Sequence, residues 1–303
     1  MVISDIGKAK SCLARIGYYR LSAYWFPFRK SQQVIDAATG LPATQVLDDF
    51  QDGTDFPTIL GLYVFDKKLR MIVLDALERI EIALRTEIAL LLGQHGAWAH
   101  RDPQVLHGNF ARRNKKGATF TPHQEWLDRL DDKFRRSKED FAKHFKARYS
   151  SSDPPIWIAV ELLDFGALSH FYAGMTIADQ DTIAARYGLS AGKAFEAWLR
   201  CLNDVRNICA HHSRLWNKPL VAQPRWPALG AIPDLDHLDG DIHGQTRLYA
   251  ALAIMRCMLK VVNPSSSWGQ RLVEHLDTMP ANPILSLKSA GFPTNWRTEA
   301  LWA

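Results

Sequence analysis

A run of residues from Trp198 to Asn217 holds a cluster of Arg, Asn and His side chains whose chemistry suits phosphate esters. Arg206, Asn207 and His211 follow the form Arg-Asn-x3-His. A guanidinium is a permanent cation that binds phosphate through paired N–H groups, and a histidine can move protons near neutral pH. Metal-independent cleavage of RNA needs both residue types, so these three are the candidate catalytic residues.

The same run is predicted to be one amphipathic helix. At about 100° per residue, the candidate catalytic residues share a face with Asn203, which we expect to support the site structurally. The opposite arc is apolar, as on a helix that packs into a bundle. It contains Trp198, Cys201, Leu202, Val205 and Ile208. His212 also falls in this arc, so we expect it to be a buried, hydrogen-bonded structural histidine.

Spacing alone leaves a second interpretation open. Arg and His are also favoured at the C-terminal end of a helix, where they interact with the last carbonyl groups and the helix dipole. The loose pattern recurs between Arg101 and His107, but Pro103 lies between them and no helix is expected there. We therefore discard that second match, and the residues from 206 to 211 remain either a site or a cap.

Several separated segments of the chain, in order, carry a family resemblance. They are Ile16–Phe28, Leu62–Arg70 with Ala76–Arg85, Trp157–Leu168 and Arg206–Asn217. Together they resemble the Abi-like abortive-infection family of the AbiD/AbiF type, whose core is a HEPN ribonuclease domain. Family members usually carry a further helical segment ahead of the part that opens here at Ser4.

The resemblance implies an all-α, HEPN-type helical bundle with an N-terminal helical extension and an irregular aromatic C-terminal tail. It also implies a metal-independent endoribonuclease of an abortive-infection or toxin–antitoxin type of antiviral defence, which cleaves RNA by attack of the ribose 2′-OH. A homodimer would bring two motifs together, and the expected partners are substrate RNA and an antitoxin RNA. The alternative is a catalytically silent HEPN module that holds a structured or antitoxin RNA, or senses phage.

Composition sets broad limits on the chain. Its 303 residues are 47% hydrophobic, as in an ordinary globular protein, and 37 basic against 32 acidic residues give a net charge of +5. Four cysteines without Cys-x-x-Cys spacing predict reduced thiols, and neither a membrane span nor a signal peptide is indicated. No zinc-ligand or phosphate-loop pattern is present, so we expect no metal or cofactor and a cytoplasmic location.

Helical periodicity dominates and divides the chain into three parts. We predict an N-terminal segment over 1–57, a HEPN-like helical domain over 58–279 and a docked C-terminal tail over 280–303. The clearest helix runs from about Leu60 to Gly93. Other helices are predicted at Ser4–Tyr18, Pro122–Tyr149, Pro155–Gly174, Ile177–Tyr187, Ala191–His212, Gly244–Val262 and Ser266–Met279. The stretches Arg29–Pro57 and Pro219–Gly244 read as irregular, because they are rich in Pro and Gly.

A few charged and aromatic residues outside the motif are secondary candidates. The candidate RNA-binding residues are Arg112, Arg113, Lys115, Lys116 and Arg214. For the cluster between 112 and 116, a solvated surface loop is the competing interpretation. Glu161 is either the polar edge of its helix or a partner for Arg206 or His211, and Arg79 or Glu81 could brace the motif helix. The aromatic block from Tyr18 to Phe28 could stack bases, although core packing is expected.

Overall fold

The chain folds into helices around one long central helix, with a small antiparallel hairpin near its start. The computed structural model describes residues 1–113, 118–149 and 153–302. The helices are α1 (Ile6–Ile16), α2 (Tyr18–Trp25), α3 (Phe56–Gly93), α4 (Gly108–Ala111), α5 (Pro122–Arg136), α6 (Asp140–Arg148), α7 (Ile156–Ala159), α8 (Phe165–Gly174), α9 (Ile177–Ala185), α10 (Gly192–Ala210), α11 (Ile242–Gln245), α12 (Leu248–Val262) and α13 (Trp268–Leu276). The strands are β1 (Arg29–Ile35) and β2 (Pro42–Phe50). The predicted all-α class is confirmed.

Helix α3 is the central element, as the sequence predicts. It is 38 residues long, and Asp55 caps its first turn by accepting a hydrogen bond of 2.8 Å from the Thr58 N–H. Helices α2, α8, α10, α12 and α13 pack along its length. Its apolar residues are interrupted by charged ones. In the described part of the chain, no helix is both long and apolar enough to span a membrane.

The main hydrophobic core runs from Ala9 in α1 to Leu301 near the C-terminus, so the three predicted segments all contribute to it. Beyond Pro280 the chain is mostly irregular but well packed. Phe292 and Trp296 are buried, and the Phe292 ring lies 4.7 Å from the ring of Tyr249 in α12. The aromatic residues of the tail thus pack on the bundle.

The predicted helices Pro122–Tyr149 and Pro155–Gly174 are each divided in two, and the chain beyond the predicted helix Ser4–Tyr18 continues as a separate helix, α2, that was not predicted. Gly17, with φ of 89°, separates α1 from α2, and the Asp164 side chain caps α8 by accepting a hydrogen bond from the Ala167 N–H at 2.9 Å. Between α5 and α6, Ser137 is extended, which lets α6 fold back so that Phe145 packs against Phe134. These breaks escape periodicity because the apolar spacing continues across them, while a glycine or a capping side chain ends the helix locally.

The hairpin of β1 and β2 lies inside the stretch predicted to be irregular. Register runs from Ile35 opposite Pro42 to Arg29 opposite Phe50, with a bulge after Arg29. Most residues of both strands are exposed on both faces, so the sequence lacks the apolar alternation that marks a half-buried strand. The prediction that Arg29–Pro57 is irregular is therefore wrong for the residues of these two strands.

Candidate active site

Helix α10 presents the polar face that the sequence predicts. Its apolar arc is buried in the bundle and includes Trp198, Cys201, Leu202, Val205 and Cys209. Asn203, Arg206 and Asn207 are half-buried at the edge of the helix. The amphipathic assignment of this run is confirmed, and its polar residues lie where a ligand can approach them.

The helix ends earlier than predicted, at Ala210, through a Schellman-type termination. The Ser213 N–H donates to the Ile208 carbonyl and the His212 N–H donates to the Cys209 carbonyl, both at 3.0 Å. His212 takes the left-handed position with φ of 57°, and its side chain is exposed. The prediction that His212 is buried was wrong, because the helix stops two residues before it and the helical-wheel angle no longer applies.

His211 occupies the C-cap of α10. Its backbone N–H donates to the Asn207 carbonyl at 3.0 Å, and its side chain is exposed. Within residues 1–113, 118–149 and 153–302, no hydrogen bond or ion pair engages the side chains of Arg206, Asn207 or His211. The capping interpretation describes the position of His211, but its ring makes no bond to the last described carbonyls of the helix.

Two carboxylates lie in the electrostatic surroundings of Arg206. Burial raises the pKa of Glu81 in α3 above its ordinary value, although the charges of Arg85 and Arg206 act in the opposite direction. Burial also acts to raise the pKa of Asp164, but hydrogen bonds from Lys133 and the Ala167 N–H, with the charges of Lys133 and Arg206, bring it below its ordinary value. Arg206 therefore lies beside two carboxylates, Glu81 and Asp164, which we call the acidic wall.

Arg85 of α3 connects the acidic wall to the segment before α8. Its guanidinium donates to the Glu81 carboxylate and to the Leu163 carbonyl, the latter at 2.8 Å, and lies 3.4 Å from the Glu161 carboxylate. Glu161 is half-exposed and its ion pair is with Arg85, rather than with the predicted Arg206 or His211. Of the two residues proposed to brace the motif helix, Glu81 faces it, whereas Arg79 pairs with Asp75 and Ser266 instead.

Asn203 lies against the start of α8. Gly166 provides the space for it, since a Cβ at this glycine would lie 3.1 Å from Asn203 Oδ1 and 3.4 Å from Asp164 Oδ1. Helices α8 and α10 thus approach closely beside Arg206.

A buried cluster that the sequence analysis missed fixes the loop after the motif. The Asp66 carboxylate in α3 is fully buried and accepts hydrogen bonds from the Trp216 N–H (2.8 Å), the Leu215 N–H (3.2 Å) and the Tyr24 hydroxyl (2.7 Å). It also forms an ion pair with Arg70, whose guanidinium donates to the Ser213 carbonyl at 3.2 Å. We call these three residues, Tyr24, Asp66 and Arg70, the loop clamp.

The comparison with protein families decides the relationship of the chain. The model of the Abi-like protein family matches residues 11–217, more than half of the sequence. The chain belongs to the Abi-like protein family. No curated protein and no solved structure matches it. Membership in this family suggests a role in abortive infection.

The Abi-like match covers both the motif and the loop clamp. Tyr24, Asp66 and Arg70 come from the first two segments that carry the resemblance, and Leu215 and Trp216 come from the last. These segments lie far apart in sequence yet meet at one buried carboxylate. That convergence is the signal by which the clamp could have been found, because an Asp-x3-Arg pair on an apolar helix face requires partners when buried.

The candidate RNA-binding residues of the Abi-like region are placed differently from one another. Arg112 and Arg113 are exposed just after α4, while Lys115 and Lys116 lie outside the described residues. Arg214 is half-buried, donates to the Ala23 carbonyl, and has a pKa lowered by burial. It fastens α2 to the loop after the motif.

Neither a metal centre nor a disulfide stands beside the motif in the described parts of the chain. No group of three or more His, Cys, Asp and Glu residues there is arranged to hold a metal ion. Cys12, Cys201, Cys209 and Cys257 are buried free thiols, and burial raises the pKa of Cys209 to about 12. These cysteines pack as apolar residues rather than as ligands.

Proposed function

We propose that this protein is a metal-independent endoribonuclease with a HEPN-type site, which acts in abortive infection. The observation that carries the proposal is that half-buried Arg206 and Asn207 and exposed His211 stand together at the end of α10, with no hydrogen bond to their side chains among the described residues. Unpartnered cationic and imidazole groups on a firmly anchored helix end are what a scissile phosphate requires. Membership in the Abi-like family supports the same assignment.

In the proposed reaction, the ribose 2′-oxygen attacks the adjacent phosphorus and the bond to the 5′-oxygen breaks. His211 accepts the 2′-OH proton, Arg206 stabilises the charge on the phosphorane, and Asn207 orients His211 or a phosphate oxygen. The products are a 2′,3′-cyclic phosphate and a 5′-hydroxyl. The leaving 5′-oxygen needs a proton of its own, which a second His211 supplies if two copies of the chain share one cleft.

Growth of a bacterial host tests this function. Induction of the wild-type protein should arrest growth and degrade cellular RNA, whereas His211→Ala and Arg206→Ala should be tolerated at equal abundance. His212→Gly is the matched control, because this neighbouring histidine sits at a left-handed position that glycine adopts freely. It should remain as toxic as the wild type.

Toxicity of His211→Ala equal to that of the wild type would refute the catalytic assignment. If neither protein is toxic but both retain the same RNA on isolation from cells, the protein is instead a silent RNA-binding module. That outcome would move the motif from catalysis to recognition.

A further inference from the structure

Helix α2 carries an exposed aromatic stripe next to the motif. Leu21, Tyr24 and Trp25 face the core, but Tyr19 is 89% exposed and Phe26, just past the helix, is 51% exposed. Tyr19 and Phe26 are seven positions apart, so they point to the same side with small residues between them. Tyr18 packs edge-on against both Tyr19 and Trp25, with ring centroids 5.6 and 5.2 Å away, which restricts the stripe.

Phe26 lines a cavity of about 330 Å³ that reaches the loop after the motif helix, and Tyr19 lies one helical turn before the lining residues Ser22 and Ala23, on the same side of α2. We call it the α2 groove, and its lining residues are Ser22, Ala23, Phe26, Ser213, Arg214 and Lys218. Two hydrogen bonds fix its walls, since Arg20 donates to the His212 carbonyl at 2.7 Å and Arg214 donates to the Ala23 carbonyl. The groove is therefore part of the structure that holds the end of α10.

The charge around the α2 groove is positive. Its lining includes Arg214 and Lys218 and contains no acid, and exposed Arg20 lies beside it. The neighbouring carboxylate, Asp66, is buried and already bonded within the loop clamp. The groove therefore favours a polyanion over an uncharged or cationic ligand.

We propose that the α2 groove binds an unpaired nucleobase of single-stranded RNA next to the proposed cleavage site. The inference rests on the proposed function and deepens it, by naming where the substrate strand is held. Phe26 and Tyr19 offer faces for base stacking, and Lys218 and Arg20 offer contacts to the flanking phosphates. A duplex would hide its base faces from these rings, so the site selects an unstacked strand.

The path from the motif to the groove is short. Ser213, in the groove wall, lies two residues beyond His211. On α3, Glu81 faces Arg206 and Arg70 contacts Ser213. The helical rise from Arg70 to Glu81 is about 16 Å, which approximates the distance from the motif to the groove. A few nucleotides of one strand span this distance.

Binding to a short fluorescent oligouridylate, measured by anisotropy, tests the groove. All variants are made in the His211→Ala chain, so that cleavage does not consume the probe. Phe26→Leu and Tyr19→Leu keep apolar volume but lose the ring, and each should raise Kd about tenfold. Phe26→Tyr and Tyr19→Phe keep the ring and should bind like the parent. Lys218→Gln should weaken binding and lower the slope of log affinity against log salt by about 0.7.

Unchanged RNA affinity in both leucine variants would overturn the proposal. If those variants instead lose self-association in sedimentation while binding RNA normally, the stripe is a protein interface, which also overturns it. The proposed function fails separately: ring-dependent RNA binding with no cleavage by the wild-type chain would keep the groove and remove the nuclease. With Phe26→Leu and Tyr19→Leu placed separately in the wild-type chain, normal cleavage kinetics would keep the nuclease and remove the groove.

Discussion

At the residue scale, the end of the motif helix depends on the backbone of His212. This residue adopts φ of 57°, which is strained for any side chain with a Cβ, and its own ring is exposed. The position is a C′ residue in a Schellman motif, where glycine is the residue that adopts this conformation most easily.

Replacement of His212 by glycine should therefore stabilise the protein by about 1 kcal/mol, because it relieves the left-handed strain without removing a buried contact. Urea unfolding of the purified protein measures the change. Ser213→Gly is the control, since Ser213 does not have a positive φ and should gain nothing. A loss of stability in His212→Gly would show that the histidine side chain makes a stabilising contact.

At the element scale, α3 and α10 meet at two levels with different chemistry. Near Arg206, half-buried Glu81 of α3 faces α10, and Asp164 from the cap of α8 lies beside it. Near Ser213 it is the closed loop clamp, in which Asp66 is fully buried. The loop after the motif is held rigidly, whereas the functional face of α10 remains accessible.

The loop clamp should be worth far more than an exposed pair of the same spacing. Asp66→Asn leaves Arg70 buried without its counter-charge, and the free energy of unfolding should fall by about 3–5 kcal/mol. Glu125→Gln is matched to it, because Glu125 and Arg129 on α5 are also four positions apart but exposed, and the loss should be at most about 1 kcal/mol. Equal losses in the two variants, measured by denaturant unfolding, would contradict the role given to the clamp.

Sequence periodicity was sufficient for the elements with one strongly apolar face. The core positions of α3 and α10, including Leu62, Leu69 and Val205, follow from spacing alone. The hairpin was not predictable in this way, because it buries almost no face. The fate of His212 depended on a backbone hydrogen bond at the helix end, and that of Glu161 depended on Arg85 from a distant element, so neither could be read from local pattern.

At the scale of the whole molecule, acid should weaken the fold through buried histidines. His100 is fully buried, and desolvation, with the neighbouring charges of Arg101 and His123, lowers its pKa from 6.5 to about 3. Because the unfolded chain binds this proton more readily, the contribution to stability is present above about pH 6.5 and is lost as the pH falls towards 3. Each pH unit in that window costs up to about 1.4 kcal/mol.

His100→Phe should reduce this acid sensitivity. Neither ring nitrogen of His100 has a hydrogen-bond partner among the described residues, so a phenyl ring sacrifices no bond there. Unfolding free energies measured between about pH 6.5 and 5 should fall less steeply for the variant than for the wild type. Identical slopes would mean that other groups, such as His123, carry the dependence.

The proposed two-fold assembly also makes a prediction for the whole molecule. If each cleft uses two copies of His211, mixing wild-type protein with excess His211→Ala should lower cleavage more steeply than simple dilution of active chains, because mixed dimers form. Subunit exchange is verified by a tag on one partner. A loss of activity in strict proportion to dilution would show that each chain works alone.

The most direct test of the central claim is the chemistry of the RNA ends in the absence of metal. Purified wild-type protein should cleave single-stranded RNA in excess chelator and leave 2′,3′-cyclic phosphate and 5′-hydroxyl ends, because Arg206 supplies the charge stabilisation. His211→Ala should leave the RNA intact, and His212→Gly should cleave it like the wild type. An activity that chelator abolishes and magnesium restores, or cleavage by His211→Ala at the wild-type rate, would contradict the account.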